Sequence, residues 1–476
     1  MSLFLPAVIQ GGMGAGVSSW TLARAVSQAG QLGVVAGTAL DVILARRLEL
    51  GDPGGHMRRA LAQLPLPGVA ERVLERFFLQ GGKPSSAPFK SLPLLDAEPS
   101  RERLELIVAA NFVEVFLAKE GHDHPVGINF LEKIQLPTLP SLFGAMLAGV
   151  SHVLMGAGIP RFIPSALDSL AEGLPVKLPL DVRGAKRGRE HLLRFDPRQL
   201  TDGEVLRLER PAFFAIVSSA TVANVLTRKT NGRVDGLIVE GSSAGGHNAP
   251  PRGALRLDEA GEPIFGERDV PDLEAIARLG APFWLAGSYA SPEGLQLARE
   301  HGAVGVQVGT AFAFCRESGL RPDLKRRVFE GLRSGDARVL TDPLASPTGF
   351  PFKVLQLAGT LSEERVFEER EKVCDLGYLR HAYARDDGKL GWRCPGEPEN
   401  GFIHKGGKRE AIAGRKCVCN GLLANIGLEQ VRRDGRPELP LLTSGAELSL
   451  VESVLETRGP RYSAADVLDR ILAPTA

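Results

Sequence analysis

The stretch GLIVEGSSAGGH, which runs from Gly236 to His247, decides the fold of this chain. Its first part, Gly236 to Val239, is a short apolar run of the kind found in strands that are buried on both faces. The rest is a small, glycine-rich loop that carries Glu240 and His247. A buried strand that passes directly into a polar loop is typical of the carboxyl edge of a parallel sheet, where functional residues gather.

Seven similar apolar runs lie on either side of this stretch, and helical patterns separate most of them. They are residues 5–10, 33–37, 126–130, 153–155, 213–217, 283–286 and 304–308. Eight buried strands separated by helices favour a closed parallel barrel, because right-handed connections place the helices outside and leave no open edge. We therefore predict an α/β fold of the (β/α)8 TIM barrel type, with a doubly wound open sheet as the alternative.

The chain of 476 residues is longer than a barrel of this type requires. Two segments interrupt the strand and helix rhythm, and we interpret them as insertions at about 52–100 and 183–210. The second follows an alternating pattern from Val176 to Val182, which predicts a hairpin-like excursion. We predict a barrel domain over 1–320 and a mainly helical C-terminal extension over 321–476, which would act as a cap or an oligomer contact.

Composition and charge narrow the classes of partner. Hydrophobic residues make up 43% and charged residues 24% of the chain, as in an ordinary globular protein. Because 57 Lys and Arg stand against 56 Asp and Glu, no strong field would gather nucleic acid or a membrane surface. The absence of a basic leader and of a long apolar run, together with only five cysteines, leads us to expect a cytoplasmic protein with a small-molecule substrate and no nucleic-acid or membrane partner. If the C-terminal extension is an oligomer contact, we expect a homodimer.

Small residues follow the last three predicted strands. Gly245 and Gly246 follow the sixth strand, and the sequences AGS (286–288) and VGTA (308–311) end the seventh and eighth. Paired glycines let backbone N–H groups approach an anion, and the loops after the last two strands of a barrel commonly hold phosphate. The phosphate candidates are Gly287, Ser288, Gly309 and Thr310. Each pair alone would more often be an ordinary turn or cap.

Five motifs together resemble a known family. They are IQGGM (9–13), VGIN (126–129), EGSSAGGH (240–247), AG (286–287) and QVGT (307–310). The chain between about Leu5 and Ala313 is similar to nitronate monooxygenases, formerly called 2-nitropropane dioxygenases. The same motifs relate it to the flavin-dependent enoyl reductases of fatty-acid and polyketide synthesis.

The resemblance implies an FMN cofactor, and we predict no metal among the site residues. Gly12, Met13 and Gly14 would line the flavin ring, and Asn129 would bond its polar edge. The residues implied around the phosphate are Gly245, Gly246, Gly287, Ser288, Gly309 and Thr310. A flat ring needs apolar contact and a few hydrogen bonds, whereas a dianionic phosphate needs many N–H donors.

His247 corresponds to the histidine that lies over the flavin in this family, and it is the candidate catalytic residue. A group that titrates near neutral pH can remove a proton from carbon beside a nitro or carbonyl group. The competing interpretation is a histidine that only bonds a loop carbonyl. Met13 could equally fill the core, Asn129 could cap a helix, and Glu240 could be a supporting residue or a member of an ordinary ion pair.

The resemblance predicts an FMN-dependent oxidoreductase of the nitronate monooxygenase type, which oxidises a small carbon acid such as an alkyl nitronate with O2. The alternative is an enoyl reductase that acts on acyl chains with NADH or NADPH as donor. The lack of an obvious Arg/Lys cluster beside the barrel loops weighs against this second function. An alternative from another class is a flavin- or metal-binding scaffold without turnover.

The chain departs from the family pattern after His247, where the sequence is NAPPRG. Such a rigid loop would reshape the substrate entrance, and it could bring Arg252 to an anionic substrate or leave it in solvent. Within the extension, Cys374, Cys394, Cys417 and Cys419 could bind a metal, but their spacing favours free thiols.

Overall fold

The computed structural model describes residues 3–186, 188 and 190–475. Eight parallel strands form one sheet in the order β1-β11-β10-β9-β8-β4-β3-β2. The strands of the chain are β1 Val8–Gln10, β2 Gly33–Ala36, β3 Val126–Leu131, β4 His152–Gly156, β5 Val176–Pro179, β6 Val182–Arg183, β7 Leu192–Phe195, β8 Ala212–Val217, β9 Gly236–Glu240, β10 Phe283–Ala286, β11 Gly305–Val308, β12 Arg338–Asp342, β13 Phe352–Gln356, β14 His381–Ala384 and β15 Leu390–Arg393.

The sheet closes on itself between β1 and β2. Gln10 donates its backbone N–H to the carbonyl of Leu32 at 2.9 Å, and Leu32 donates to the carbonyl of Val8 at 3.2 Å. The side chain of Gln10 extends the seam, because its Oε1 accepts from the backbone N–H of Val34 at 3.0 Å. The predicted TIM barrel is therefore confirmed, and each of the eight apolar runs forms one of its strands. The open-sheet alternative is wrong.

Large apolar side chains fill the inside of the barrel. Trp284 and Phe214 are fully buried and stack with their ring centroids 4.7 Å apart. The indole N–H of Trp284 donates to the carbonyl of Pro6 at 2.8 Å, which anchors the entering chain against the interior. Because side chains plug this end, the open mouth lies at the carboxyl ends of the strands.

Helices surround the barrel and continue into the extension. They are α1 Trp20–Gln28, α2 Leu40–Glu49, α3 His56–Leu61, α4 Val69–Phe77, α5 Arg101–Lys119, α6 Thr138–Leu147, α7 Ile163–Ala171, α8 Ala220–Arg228, α9 Leu273–Ala277, α10 Pro292–Glu300, α11 Thr310–Phe314, α12 Pro322–Ser334, α13 Glu364–Glu369, α14 Glu399–His404, α15 Val418–Ala424, α16 Ser449–Arg458 and α17 Ala464–Ile471. Short 3-10 helices lie at Pro53–Gly55, Pro197–Gln199, Glu267–Asp269 and Arg409–Ile412. In the part of the chain that the structure describes, no helix is long and apolar enough to cross a membrane.

Antiparallel pairings occur in the segments beside the barrel. β5 pairs with β7, as the hairpin-like pattern indicates, and β12 pairs with β13 in the extension. The strand β14 lies between β15 and β6, so the extension and the segment after β5 share one small sheet. The division of the chain near residue 320 stays a prediction.

A buried polar triad ties the extension to the barrel. Arg103 of α5 and Asp41 of α2 form an ion pair at 2.7 Å, and both side chains are almost fully buried. Tyr378 of the extension donates its hydroxyl to the same carboxylate. Because a buried charge is costly unless it is paired and hydrogen-bonded, this contact helps to fix where the extension lies on the barrel.

Candidate active site

Two cavities lie side by side above the mouth of the barrel. One has a volume of about 1020 Å³ and is lined largely by apolar side chains such as Phe130, Ile216 and Phe352; we call it the apolar cavity. The other has a volume of about 1260 Å³ and is lined by the glycine-rich loops; we call it the glycine-lined cavity. The residues that line both are Gly12, Gly14, Glu240, Gly245, Gly246, Gln307 and Thr443. The two cavities therefore adjoin one another.

The four phosphate candidates all line the glycine-lined cavity. Gly287 has a φ of 95°, and a Cβ built on it would lie 2.9 Å from Ser243 Oγ. Ser288 has a φ of 61°, which is unusual for a residue with a side chain. Backbone strain of this kind is held in place only by its surroundings and is often found at ligand sites. The loop after β10 is thus shaped so that its backbone faces the cavity.

On the opposite wall of the glycine-lined cavity, the loop after β1 packs against β3. A Cβ built on Gly12 would lie 2.4 Å from Asn129 Cβ, so only glycine allows this approach. Met13 is partly buried and donates its backbone N–H to Ser18 Oγ at 2.9 Å. Met13 and Gly14 face the glycine-lined cavity, and Asn129 faces the apolar one. The residues predicted to line a flat ring therefore lie around the junction of the two cavities.

Two buried polar atoms at this junction have no hydrogen-bond partner among the described residues. They are Oε1 of Gln307 and Oγ1 of Thr443, and both residues line both cavities. Buried polar atoms in folded proteins are almost always hydrogen-bonded, because an unsatisfied one costs about 1–3 kcal/mol. These two atoms fit a ligand with polar groups between its two ends.

His247 lies half-buried in the apolar cavity. Its Nε2 is 2.6 Å from Oγ of Ser346, a fully buried residue of the extension, and its ring centroid is 4.7 Å from that of Phe352. The backbone on both sides is held as well, since the backbone N–H of Lys353 donates to the carbonyl of Gly246 at 3.0 Å and that of Asn248 donates to the carbonyl of Pro351 at 2.9 Å. Burial lowers the pKa of His247 to about 4, so the imidazole is neutral at neutral pH.

Glu240 ends the strand β9 and lines both cavities. Among the described residues, its side chain has no hydrogen-bond or ion-pair partner. Burial raises its pKa to about 7, so the carboxyl is held close to half-protonated at neutral pH. A carboxyl in this state can donate or accept a hydrogen bond, which makes Glu240 a second titratable group at the junction.

Comparison with known proteins places part of the chain in a family. Residues 187–344 match the family model described as nitronate monooxygenase. This segment is similar to the nitronate monooxygenase family. It contains the strand β9, the loop with His247, and the glycine loops after β10 and β11, which hold most of the predicted site. The resemblance to nitronate monooxygenases is thereby confirmed for this segment.

Individual relatives match over shorter stretches. A probable nitronate monooxygenase of Bacillus subtilis (strain 168) is 34% identical over 126 residues, which is 26% of this chain and 34% of that protein. A (3aS,4S,5R,7aS)-5-hydroxy-7a-methyl-1-oxo-octahydro-1H-indene-4-carboxyl-CoA dehydrogenase of Mycobacterium tuberculosis is 32% identical over 123 residues, which is 26% of this chain and 30% of that protein. The chain thus spans about a third of the length of these relatives.

A solved structure is similar over nearly the whole length. The nitroalkane oxidase of Streptomyces ansochromogenes is 15% identical, with a TM-score of 0.47, and the match covers 99% of this chain and 96% of that one.

The family match does not extend to the residues that the extension contributes after residue 344. Seven of them line the apolar cavity: Phe352, Tyr378, Leu379, Val418, Cys419, Leu422 and Thr443. Sequence reasoning named only Cys419 among them, as a possible metal ligand or a free thiol. One signal was present for a neighbouring segment, because the string TSG at 443–445 repeats the small-residue pattern of the barrel loops. There the backbone N–H of Gly445 donates to Oγ1 of Thr310 at 2.9 Å.

Arg252 is the one predicted site residue that the structure does not bring to either cavity. Its side chain is exposed, its Nη2 donates to the carbonyl of Ser218 at 3.2 Å, and its backbone N–H donates to Asp269 at 2.7 Å. A role in binding substrate stays a prediction.

The cysteines are all free thiols. Among the described residues, no group of three or more His, Cys, Asp or Glu side chains is arranged to hold a metal ion.

Proposed function

We propose that this protein is a flavin-dependent oxidoreductase that binds FMN across the two cavities. The observation that carries the proposal is their junction: a cavity lined by glycine loops opens into an apolar one that contains His247. FMN has the matching polarity, since its dianionic phosphate is joined by a polar chain to a flat ring system. The family of residues 187–344 supports the same cofactor.

The residues of the junction fit this group. The glycine loops would hold the phosphate through backbone N–H groups, with Gly245, Gly246, Gly287, Ser288, Gly309 and Thr310 as the residues concerned. The unpartnered Gln307 Oε1 and Thr443 Oγ1 would bond the polar chain between phosphate and ring. Gly12, Met13 and Gly14 would line the ring and Asn129 would bond its polar edge. When bound, FMN supplies the transfer of electrons or hydride that the side chains cannot perform.

His247 is the group that would move a proton in this site. The Nε2 atom lies 2.6 Å from Ser346 Oγ, and no described residue bonds Nδ1. In the tautomer that donates Nε2–H to Ser346, Nδ1 would be the nitrogen that accepts a proton. The low pKa keeps the ring neutral at neutral pH, and it also makes the imidazole a weak base. The imidazole would take a proton from carbon beside a nitro group, or would orient a substrate that is already an anion.

The leading function is nitronate monooxygenase-like oxidation of a small carbon acid such as an alkyl nitronate, with O2 as the second substrate. The family of residues 187–344 and the Bacillus relative support it. The surrounding apolar side chains would exclude water from the reacting carbon, which strengthens electrostatic interactions within the cavity.

A second function, reduction of an enoyl group on an acyl chain, is favoured by the apolar lining that the extension adds to this cavity. Leu379 and Leu422 lie on this wall, and their side chains would suit an acyl chain. The dehydrogenase of Mycobacterium tuberculosis also supports this function, because its name describes a CoA-linked compound. It is similar to this chain over 123 residues. This reaction would need NADH or NADPH.

An absorbance spectrum of the purified protein tests the cofactor first. Flavin bands are expected, and anaerobic addition of a nitronate is expected to bleach them if the leading function holds. Bleaching by NADH or NADPH alone would favour the reductase. If no flavin is bound and added FMN restores none, the proposal is wrong.

A further inference from the structure

A third cavity of about 1100 Å³ lies beside the apolar cavity and shares Tyr378 and Leu379 with it. Its wall carries four basic side chains from three separate parts of the chain: Lys133, Arg183, Arg380 and His381. We call this space the cationic vestibule. Because two residues line both spaces, a ligand in the vestibule would lie next to whatever occupies the apolar cavity.

Two arginines lie near His381: Arg183, which lines the vestibule, and Arg393, which is not among its lining residues. Arg393 donates from Nε to Nε2 of His381 at 3.1 Å, so the imidazole is neutral and accepts this bond. Burial first, and then the charges of Arg183 and Arg393, lower the pKa of His381 to about 3. The two guanidinium groups are therefore close enough to act on one ring.

Carboxylates do not balance this charge. Among the described residues, neither Arg183 nor Arg393 forms an ion pair; Arg393 instead donates from Nη1 to the carbonyl of Lys405 at 2.6 Å. Among the described residues, Asp181 is the acid on the vestibule wall, and it lies 3.8 Å from Lys133, which also lies 3.6 Å from Glu132 outside the wall, so these carboxylates balance Lys133. Like charges that are held together without a counter-charge favour the binding of an anion.

The vestibule also has a flat aromatic surface and a firm frame. Trp392 lines it, and the guanidinium of Arg380 lies 5.8 Å from the centroid of that ring. The frame is the small sheet in which Ala382 of β14 pairs with Val182 of β6. An aromatic plane beside guanidinium groups matches a nucleotide, because a base can stack on the ring while a phosphate meets the charges.

We propose that the cationic vestibule binds the phosphorylated adenosine end of an elongated ligand whose other end reaches the apolar cavity past Tyr378 and Leu379. This inference rests on the proposed function, because it assigns that site a substrate or electron donor of a stated class. Coenzyme A thioesters and NADPH share this chemistry. Both carry an adenosine phosphate joined by a flexible, charged chain to the part that reacts.

Equilibrium binding to the flavin-loaded protein, with its flavin chemically reduced beforehand under anaerobic conditions, tests the proposal without any turnover. Calorimetric titrations with coenzyme A, NADPH and NADH would be run on wild type, Arg183→Glu and Arg183→Gln. The control is Arg326→Glu, an exposed arginine on α12 with the same change of charge. We expect the Kd of coenzyme A or of NADPH to rise at least tenfold in Arg183→Glu, by less in Arg183→Gln, and not in the control.

The ligand whose binding weakens in Arg183→Glu identifies which molecule supplies the adenosine phosphate. A loss confined to coenzyme A assigns the vestibule to an acyl substrate, and a loss for NADPH that exceeds the loss for NADH assigns it to the nicotinamide donor. Equal binding of all three ligands to wild type and to Arg183→Glu would overturn the proposal, as would no binding to wild type. Flavin absorbance is recorded for each variant, so an error in the proposed function appears separately, as absent flavin.

Discussion

The two cavities of the active site are built in different ways. The glycine-lined cavity is shaped by backbone, because its loops carry Gly245, Gly287 and Gly309, and the extension adds another small-residue segment at 443–445. The apolar cavity is shaped by side chains, and several of these, including Phe352 and Leu422, come from the extension. The comparison teaches that added Cβ atoms should damage the cofactor end, whereas exchanged side chains should alter the substrate end.

The largest effect is expected from a side chain at the substrate end. In His247→Asn, turnover should fall by about 10²–10⁴-fold with flavin retained, because a positioned acid–base group contributes that much. Steady-state kinetics and the flavin spectrum of the same sample measure both. His301→Asn, an exchange at an exposed position after α10, is the control. Unchanged turnover in His247→Asn would remove its catalytic role and would leave the scaffold alternative standing.

A substitution that alters the backbone loop after β10 should affect the cofactor end of the site. In Gly287→Val, a Cβ at a φ of 95° would clash with Ser243, and we expect the affinity for FMN to fall by roughly 100-fold, or about 3 kcal/mol. Fluorescence titration of the apoprotein with FMN measures it. Gly280→Val is the matched control, since its φ is 77° and a Cβ there meets nothing within 4 Å. If both variants bind FMN like wild type, the backbone loop is not the phosphate site.

Glu240 lies at the junction of the two cavities. The pH dependence that it gives to the free energy of unfolding sharpens the comparison between them. Its pKa in the folded protein, about 7, lies above the usual value of 4.5, so its stabilising contribution is fully present below pH 4.5 and is lost as pH rises through 7. Between pH 5 and 7.5 the free energy of unfolding of wild type should fall by about 2 kcal/mol relative to Glu240→Gln, allowing for partial exposure.

Urea unfolding of the two proteins at pH 5, 6, 7 and 8 makes this comparison. Other titrating groups are common to both proteins and therefore cancel. Parallel stability curves would mean that the carboxyl is solvated and is not held at the junction.

The smallest effect is expected at the far wall of the apolar cavity. In Cys419→Phe, the larger side chain would fill part of the space, and KM should rise about tenfold with the flavin spectrum unchanged. Cys419→Ser, which keeps the volume, is the control at the same position. A loss of flavin in Cys419→Phe would show that the two ends are not separable.

The barrel could be predicted from the sequence because its signals are local. Each strand is a short apolar run, and the residues at its carboxyl end, such as Gly287 and Thr310, carry the loop chemistry within a few positions. Parallel strands bring these ends together whatever lies between them. The glycine-lined cavity therefore follows from motifs that can be read one at a time.

The apolar cavity could not be predicted in this way. Tyr378 and Cys419 reach it only because the extension folds back over the barrel, and no local pattern specifies that contact. The cationic vestibule shows the same limit more sharply: Lys133, Arg183 and Arg380 are far apart along the chain, so no local pattern predicts that they line one cavity.

The triad of Asp41, Arg103 and Tyr378 has a consequence for synthesis on the ribosome. The first two residues leave the ribosome long before the third, at a delay of roughly a few tens of seconds for typical elongation rates. During that interval the mouth of the nascent barrel lacks the outer wall that the extension provides. A cofactor could then enter from solvent and be enclosed by the last part of the chain to be made, so loading would be ordered by translation.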